Sequence, residues 1–448
     1  MKRLLTPILL VSLAGCSTTS PILEPAVAPP SAYSEAAAPS GAALTLDWWT
    51  SFNSAELQQL VGEALAGSPD LAIAAERVRQ AEAQVQIAGA SLFPSLDLGF
   101  ATRKTRDSES SSTTLSASYE VDLFGRNAAG VRGAEAGLRA TAFDREAARL
   151  TLLAGVANAY FEVLSLRGRL AVSRENLAIA ERVLGVVEVR ARNGAVSPLD
   201  VARQQATVLS QRAGLLSLEQ QERQTLAALA VLVGRLPEGF EVKAAALTDL
   251  AVPTVDPGLP TDLLVRRPDL AVAEASLAAA NANLAAARAA LLPSIQLTGS
   301  AGVASSSLLA FLGGSSTGLA VAASVLQPIF DGGRLRGNVR IAESRERELV
   351  EGYRKAILAA FADVETALAA SSRLAQREAL QVQVEARARE ALRLAEVRYR
   401  EGADDLLSVL DAQRTLFDAQ DQLALTRLDR LEASVALFRA LGGGWSRS

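Results

Sequence analysis

The sequence predicts a mainly α, internally duplicated fold that carries four short β-strands of membrane type. Three observations predict it. Motifs of the first half return in the second at constant spacing, each half holds a pair of segments alternating with period two, and each continues into a long proline-free helical stretch.

Composition limits the chemistry. The 448 residues include 45 Lys+Arg against 49 Asp+Glu, a formal net charge of −4, which argues against a nucleic-acid partner. Hydrophobic residues make up 49 % and aromatics only 4 %, with much alanine, as suits long, closely packed helices. Histidine is absent and Cys16 is the only cysteine. A histidine triad, a histidine-ligated zinc site, an iron–sulfur cluster and an internal disulfide are excluded. The expectation is a non-enzyme without cofactor or metal, since the carboxylates on its helices belong to no recognisable catalytic set.

At the N-terminus, Lys2 and Arg3 precede an apolar run from Leu4 to Leu13, too short to span a bilayer as a helix. Leu13-Ala14-Gly15-Cys16 resembles the lipobox of bacterial lipoproteins. The resemblance implies a signal peptide over residues 1–15, cleavage before Cys16, and lipid, palmitate included, on that cysteine. Ser17 in place of aspartate points, by the same likeness, to the outer membrane. Residues 16–42, rich in Pro, Ala, Ser and Thr, read as a flexible tether.

Two structural repeats are expected, over residues 43–245 and 246–448. Pro69-Asp70-Leu71 returns as Pro268-Asp269-Leu270, and Pro94-Ser95 as Pro293-Ser294, both 199 residues on. Beyond the strands, Arg126, Gly194 and Gly234 return as Arg334, Gly402 and Gly442, each 208 residues on. Every repeat opens with a lead-in helix, about Ser54 to Ser91 and Pro260 to Leu291. The strands follow, at about 95–122 and 295–327. Leu96, Leu98 and Phe100 alternate with Ser95, Asp97 and Gly99; Leu115, Ala117, Tyr119 and Val121 with Thr114, Ser116, Ser118 and Glu120. The second repeat alternates likewise through Ile295, Leu297, Ala301 and Val303, then Leu319, Val321, Ala323 and Val325. Arg103 to Thr113 and Ser305 to Thr317 read as hairpin loops. From Arg126 and from Arg334, Ala, Leu and Val with interspersed charges then run without proline to Gly194 and Gly402. A helix of that length, about 100 Å at 1.5 Å per residue, exceeds one globular domain. The return helices show coiled-coil faces, as with Leu410, Phe417, Ala424, Leu431 and Phe438 every seven residues.

Four strands cannot close a barrel in lipid, where an open edge is not viable and the smallest barrels have about eight strands. Several chains must share one. A soluble helical bundle accounts for the helices but not for strand pairs at corresponding places in each repeat.

Asp47-Trp48-Trp49, Arg266-Arg267-Pro268-Asp269-Leu270, Phe330-Asp331-Gly332-Gly333-Arg334, Leu410-Asp411-Ala412-Gln413-Arg414 and the ending Ala440-Leu441-Gly442-Gly443-Gly444-Trp445 resemble the outer-membrane efflux proteins. The likeness is to the NodT-type lipoprotein branch of TolC-like factors. It implies a homotrimer with a shared 12-stranded transmembrane β-barrel continuous with a periplasmic α-helical barrel. It also implies the outer membrane of a Gram-negative bacterium, with lipid anchorage, a large periplasmic part and Trp48, Trp49 and Trp445 in equatorial packing. The implied function is the passive, gated outer duct of a tripartite efflux pump for small molecules. The partners implied are a periplasmic adaptor, an inner-membrane transporter of the resistance-nodulation-division type and outer-membrane lipid. A type I protein-secretion duct is the alternative within the class, and a lipid-anchored periplasmic coiled-coil scaffold the alternative outside it.

In that family, charges at the helix turns close the periplasmic entrance. Asp411 matches one ring aspartate, Ser408 stands where some relatives carry another, and Asp404 where some carry arginine. Asp404, Asp405 and Asp200 complete the candidate gate and selectivity residues, although an aspartate at a helix start also serves as a cap. Arg192, Gly194, Arg400 and Gly402, at the turns, are candidate adaptor contacts, and each glycine is also placed to end its helix.

Overall fold

The computed structural model describes residues 27–35, 44–107, 109–244, 246–305 and 316–446. The expected signal peptide, Cys16 and most of the second hairpin loop lie outside them. A 3₁₀ turn over Trp48–Phe52 precedes α1 (Ala55–Gly67) and α2 (Pro69–Ala90). Then come β1 (Ser95–Lys104), β2 (Glu109–Val121), α3 (Arg126–Arg192) and α4 (Pro198–Leu232). The second repeat supplies α5 (Pro260–Arg266), α6 (Pro268–Ala289), β3 (Ser294–Ser305), β4 (Ser316–Leu326), α7 (Arg334–Arg400) and α8 (Leu406–Ala440). Both ends of α2 and α6 differ by 199 residues, and both ends of α3 and α7 and of α4 and α8 by 208.

Two expectations are corrected. Each lead-in helix is two helices, because Ser68 (ψ 123°) and Arg267 (ψ 124°) are extended. Each precedes a proline, whose ring excludes the helical conformation from the residue before it. The first hairpin loop is also shorter than Arg103 to Thr113: pairing continues through Thr102↔Ser111, Arg103↔Ser110 and Lys104↔Glu109. Cross-strand side chains carry it, Thr102 and Ser111 hydroxyls lying 3.2 Å apart and Lys104 pairing with Glu109 at 3.8 Å.

The described chain divides into two compact units, each drawing on both repeats. The first holds 74–145 and 269–357. Its sheet has the order β1-β2-β3-β4, all antiparallel, so β1 and β4 are edges. The register aligns Leu98, Leu115, Ala301 and Leu319 in one row, and Tyr119, Leu297 and Ala323 in another. One face is thus apolar and open, with Leu98 74 % and Leu319 81 % exposed, while Ser, Thr, Gly and Asp97 occupy the other. Such a face belongs against lipid. Beneath it, α6 joins α7 through Asn281 to Glu346 (2.8 Å) and Arg288 to Glu343 (3.1 Å).

The second unit holds 28–73, 146–268 and 358–448. Its core gathers Trp48, Phe52, Tyr160, Phe161 and Phe438, with Trp48 stacked on Phe438 at 5.3 Å and Phe52 against Phe161 at 5.0 Å. Trp49 is buried with them and Trp445 packs against the cluster, so all three tryptophans serve packing. Glu56 accepts from the amides of Lys243 and Ala244, and Arg167 donates to the carbonyls of Val242 and Ala244, clamping that connector between helices.

The expected tether is docked over Tyr33 to Glu35. Tyr33 is buried, and the Ser34 amide and hydroxyl and the Glu35 amide all donate to the Glu365 carboxylate at 2.8, 2.8 and 3.2 Å. Burial opposes ionisation of Glu365, but these bonds prevail and hold its carboxyl below the usual range. Burial, with Asp262 nearby, pushes the Tyr33 phenol up to about 12.

Glu432 on α8 runs the other way: burial first, then the charges of Glu162 and Asp429, raise its pKa. Its folded value exceeds its unfolded one, so ionisation disfavours the fold and stability declines as pH rises from the unfolded value through the folded one. Glu432→Gln is expected to raise the melting temperature at pH 7 and leave it unchanged near pH 3, where both states are protonated. Melting curves of the detergent-solubilised protein at the two pH values check this.

Candidate functional site

The turns α3–α4 and α7–α8 are built alike. Gly194 (φ 72°) and Gly402 (φ 77°) end their helices in the left-handed region. The amides of Ala195 and Ala403 reach back to the carbonyls of Arg190 and Arg398 at 2.9 Å. Both glycines therefore serve as helix ends, and Arg192 and Arg400 beside them are exposed.

The following helices begin with acidic caps of two designs. In α4 the Ser197 hydroxyl accepts from the Asp200 amide, and Asp200 accepts from the Ser197 amide and hydroxyl at 3.0 and 2.8 Å. That is a reciprocal capping box, and the Ser197 bonds hold the Asp200 carboxyl below its usual range. In α8, Asp405 is the N-cap, accepting from the Ser408 amide at 3.1 Å. Asp404 accepts from the Ser408 hydroxyl (2.9 Å), the Asp405 amide (3.0 Å) and Arg398 (3.3 Å). The Ser408 bond is the main cause that lowers its pKa.

Asp404, Asp405 and Ser408 thus meet in one helical turn, Asp200 lies on the other hairpin, and Asp411 stands farther into α8. Asp411 pairs with Arg414 at 3.1 Å, and both side chains are more than two-thirds exposed. Around them Arg203, Ser210, Leu407, Leu410 and Phe417 complete a groove of about 510 Å³ between α4 and α8.

Four contributors escaped sequence reading. Arg190 donates to the Tyr399 carbonyl (3.0 Å) and lies 4.6 Å over the Tyr399 ring, tying the two hairpins together. Nothing in linear sequence pairs residues 209 apart. Arg398 and Arg414 are intelligible only as partners of Asp404 and Asp411. Ser197 is the one of the four with a local signal, since Ser-Pro-Leu-Asp before an apolar helix is a capping-box signature. Behind the turns, Val187, Leu392, Tyr399, Leu406 and Val409 form a buried cluster that fixes them.

A sheet with an apolar outer face and two open edges, on a chain with two long helical hairpins, defines one subunit of an oligomeric membrane channel. The family model for outer membrane efflux protein matches residues 60–235 and 259–443. The chain belongs to the outer membrane efflux protein family. It is 43 % identical to the pyoverdine export outer membrane protein OpmQ of Pseudomonas aeruginosa, over 97 % of this chain and 95 % of the relative. Among solved structures, a membrane protein from Pseudomonas aeruginosa matches at TM-score 0.85 and 33 % identity, covering 95 % of this chain and all (100 %) of the other. The open state of the MtrE outer membrane channel of Neisseria gonorrhoeae matches at TM-score 0.85 and 30 % identity, covering 96 % and 98 %. The chain is accordingly an outer-membrane channel component of a tripartite efflux pump in a Gram-negative bacterium, a homotrimer sharing one β-barrel, with a large periplasmic part. Its family is one of channels, not of enzymes.

Proposed function

We propose that the channel is a passive duct for small molecules, narrowed at its periplasmic entrance by three copies of Asp411. The observation that carries this is the position of Asp411: an exposed carboxylate just inside α8, beyond the three acidic residues that cap or brace the turns. A ring of such carboxylates at a constriction favours cations. Asp404, Asp405 and Asp200 support the gate by fixing the helix starts. Arg192, Gly194, Arg400 and Gly402 offer exposed backbone and charge to a periplasmic adaptor, which joins the duct to an inner-membrane transporter of the resistance-nodulation-division type. Lipid on Cys16 anchors the N-terminus in the outer membrane. Likeness to a pyoverdine exporter favours small-molecule cargo over protein.

Single-channel recording in planar bilayers tests the gate. Asp411→Ala is expected to raise conductance and move the reversal potential under a salt gradient toward zero, as cation preference falls. Unchanged conductance and selectivity would remove Asp411 from the gate.

A further inference from the structure

We infer that the barrel lumen is graded in charge, with Asp97 near the helices and Arg103 at the outer mouth, and that Arg103 receives the anionic groups of departing small molecules. The assignment goes beyond the gate at Asp411 and does not depend on it.

Side chains alternate across a strand, so the face opposite the lipid-facing one lines the lumen. On β1 that face carries Ser95, Asp97, Gly99, Ala101 and Arg103, since Leu96, Leu98 and Phe100 point the other way. The pairing confirms it: the Ser95 and Ser118 hydroxyls meet at 2.8 Å, Asp97 stands across from Ser116 and Arg103 across from Ser110. The two levels are ordered by chain path. Strand β1 follows α2 and β2 runs into α3, so Asp97 lies toward the periplasmic helices and Arg103 toward the β1–β2 turn, at the outside. On the lipid face Phe100 is the last apolar member of β1, and Thr102 and Lys104 succeed it, so Arg103 lies at the rim of the apolar band.

Charge on the lumen face is sparse. Glu120 is neutralised by Arg126 at 2.6 Å, and the alternating positions of β3 and β4 on that face carry no charge. Asp97 accepts only from the Ser95 hydroxyl, at 3.4 Å, and among the described residues neither Asp97 nor Arg103 has an ion-pair partner. Residues 306–315, the second hairpin, contain no charged residue in sequence, so they bring no counter-charge to Arg103.

Magnitudes show that such rings reach the cargo. Four strands from each of three copies, about 4.8 Å apart and tilted by about 40°, enclose a wall about 24 Å across. Arg103 projects inward from it, and a Debye length of about 8 Å at physiological ionic strength lets three guanidinium groups act across the bore. The six residues between the rings span about 20 Å along the strand, so each acts separately. An anionic group on a small molecule is thus drawn to the mouth after it passes Asp97.

Thiol labelling on intact cells tests the grading, with the full chain lacking an added cysteine as the blank for Cys16. Ser110→Cys reports beside Arg103 and Ser116→Cys beside Asp97. Each is treated with an anionic (sulfonatoethyl) or a cationic (trimethylammonioethyl) methanethiosulfonate. At low salt Ser110→Cys is expected to favour the anionic reagent, and Arg103→Gln to lower its anion-to-cation rate ratio roughly three- to tenfold. Arg103→Lys should retain the preference, and 1 M salt, with a Debye length of about 3 Å, should remove it. Ser116→Cys should favour the cationic reagent, lose that preference with Asp97→Asn and ignore Arg103→Gln. A ratio at Ser110→Cys that Arg103→Gln leaves unchanged overturns the anion site. So does a Ser110→Cys that neither reagent reaches, because that residue would then not face the lumen.

Discussion

Gly442→Ala is expected to destabilise the protein by roughly 2–5 kcal/mol, the sum of a left-handed alanine and an overlap forced into packed backbone. Gly442 has φ 76°, and a Cβ built there stands 2.0 Å from the Arg266 carbonyl oxygen. Neither partner is the end of a flexible side chain, so the last turn of α8 or the break between α5 and α6 must move. The first repeat holds the same device: Gly234, φ 77°, would place its Cβ 2.1 Å from the Gly67 carbonyl oxygen. Gly234→Ala should therefore cost a similar amount. Gly194→Ala is the control, with φ 72° but nothing within 4 Å of the added carbon, and should lose only about 1–2 kcal/mol. Thermal inactivation half-lives of the detergent-solubilised protein rank the three variants. Equal losses for Gly442 and Gly194 would show that close approach to Arg266 contributes nothing.

Trp48→Ala should cost about 3–5 kcal/mol, the range for removing a large aromatic side chain from a packed interior. Its side chain is 1 % exposed, stacked on Phe438 and set edge-on to Trp49 and Phe52, so it joins the N-terminal turn to the last helix. An alanine leaves a cavity that neighbours cannot fill, because Phe52 is held against both Phe438 and Phe161. The readout separates packing from membrane anchoring. A packing residue lowers the inactivation temperature and leaves membrane fractionation unchanged, whereas an interfacial anchor does the reverse.

The strands were legible because half-buried pleats impose period two, and the register confirms each alternating set on one face. Their lengths were less so. Ser110 to Thr113 read as loop because hydroxyl side chains serve both turns and solvated strands, and only pairing with β1 decides between them. The breaks at Ser68 and Arg267 were present in the sequence as prolines, yet a continuous apolar periodicity across them masked the interruption. At the site, the acidic residues were visible as a cluster. Their division into Asp405 and Asp200 as caps, Asp404 as a brace and Asp411 as an exposed charge required the bonds to Ser408, Ser197, Arg398 and Arg414.

By itself the sequence determined whatever depends on local periodicity and on comparison of the chain with itself: two repeats, 199 and 208 residues out of step, four amphipathic strands and two long helical hairpins. Those properties are short-range, and they survive in a linear string. Tertiary structure alone decided that the compact units cut across the repeats, that Tyr33 to Glu35 dock on Glu365, and that Gly442 meets Arg266. Each of these joins residues more than a hundred positions apart, where the chain's path, and not its local preference, sets which surfaces meet.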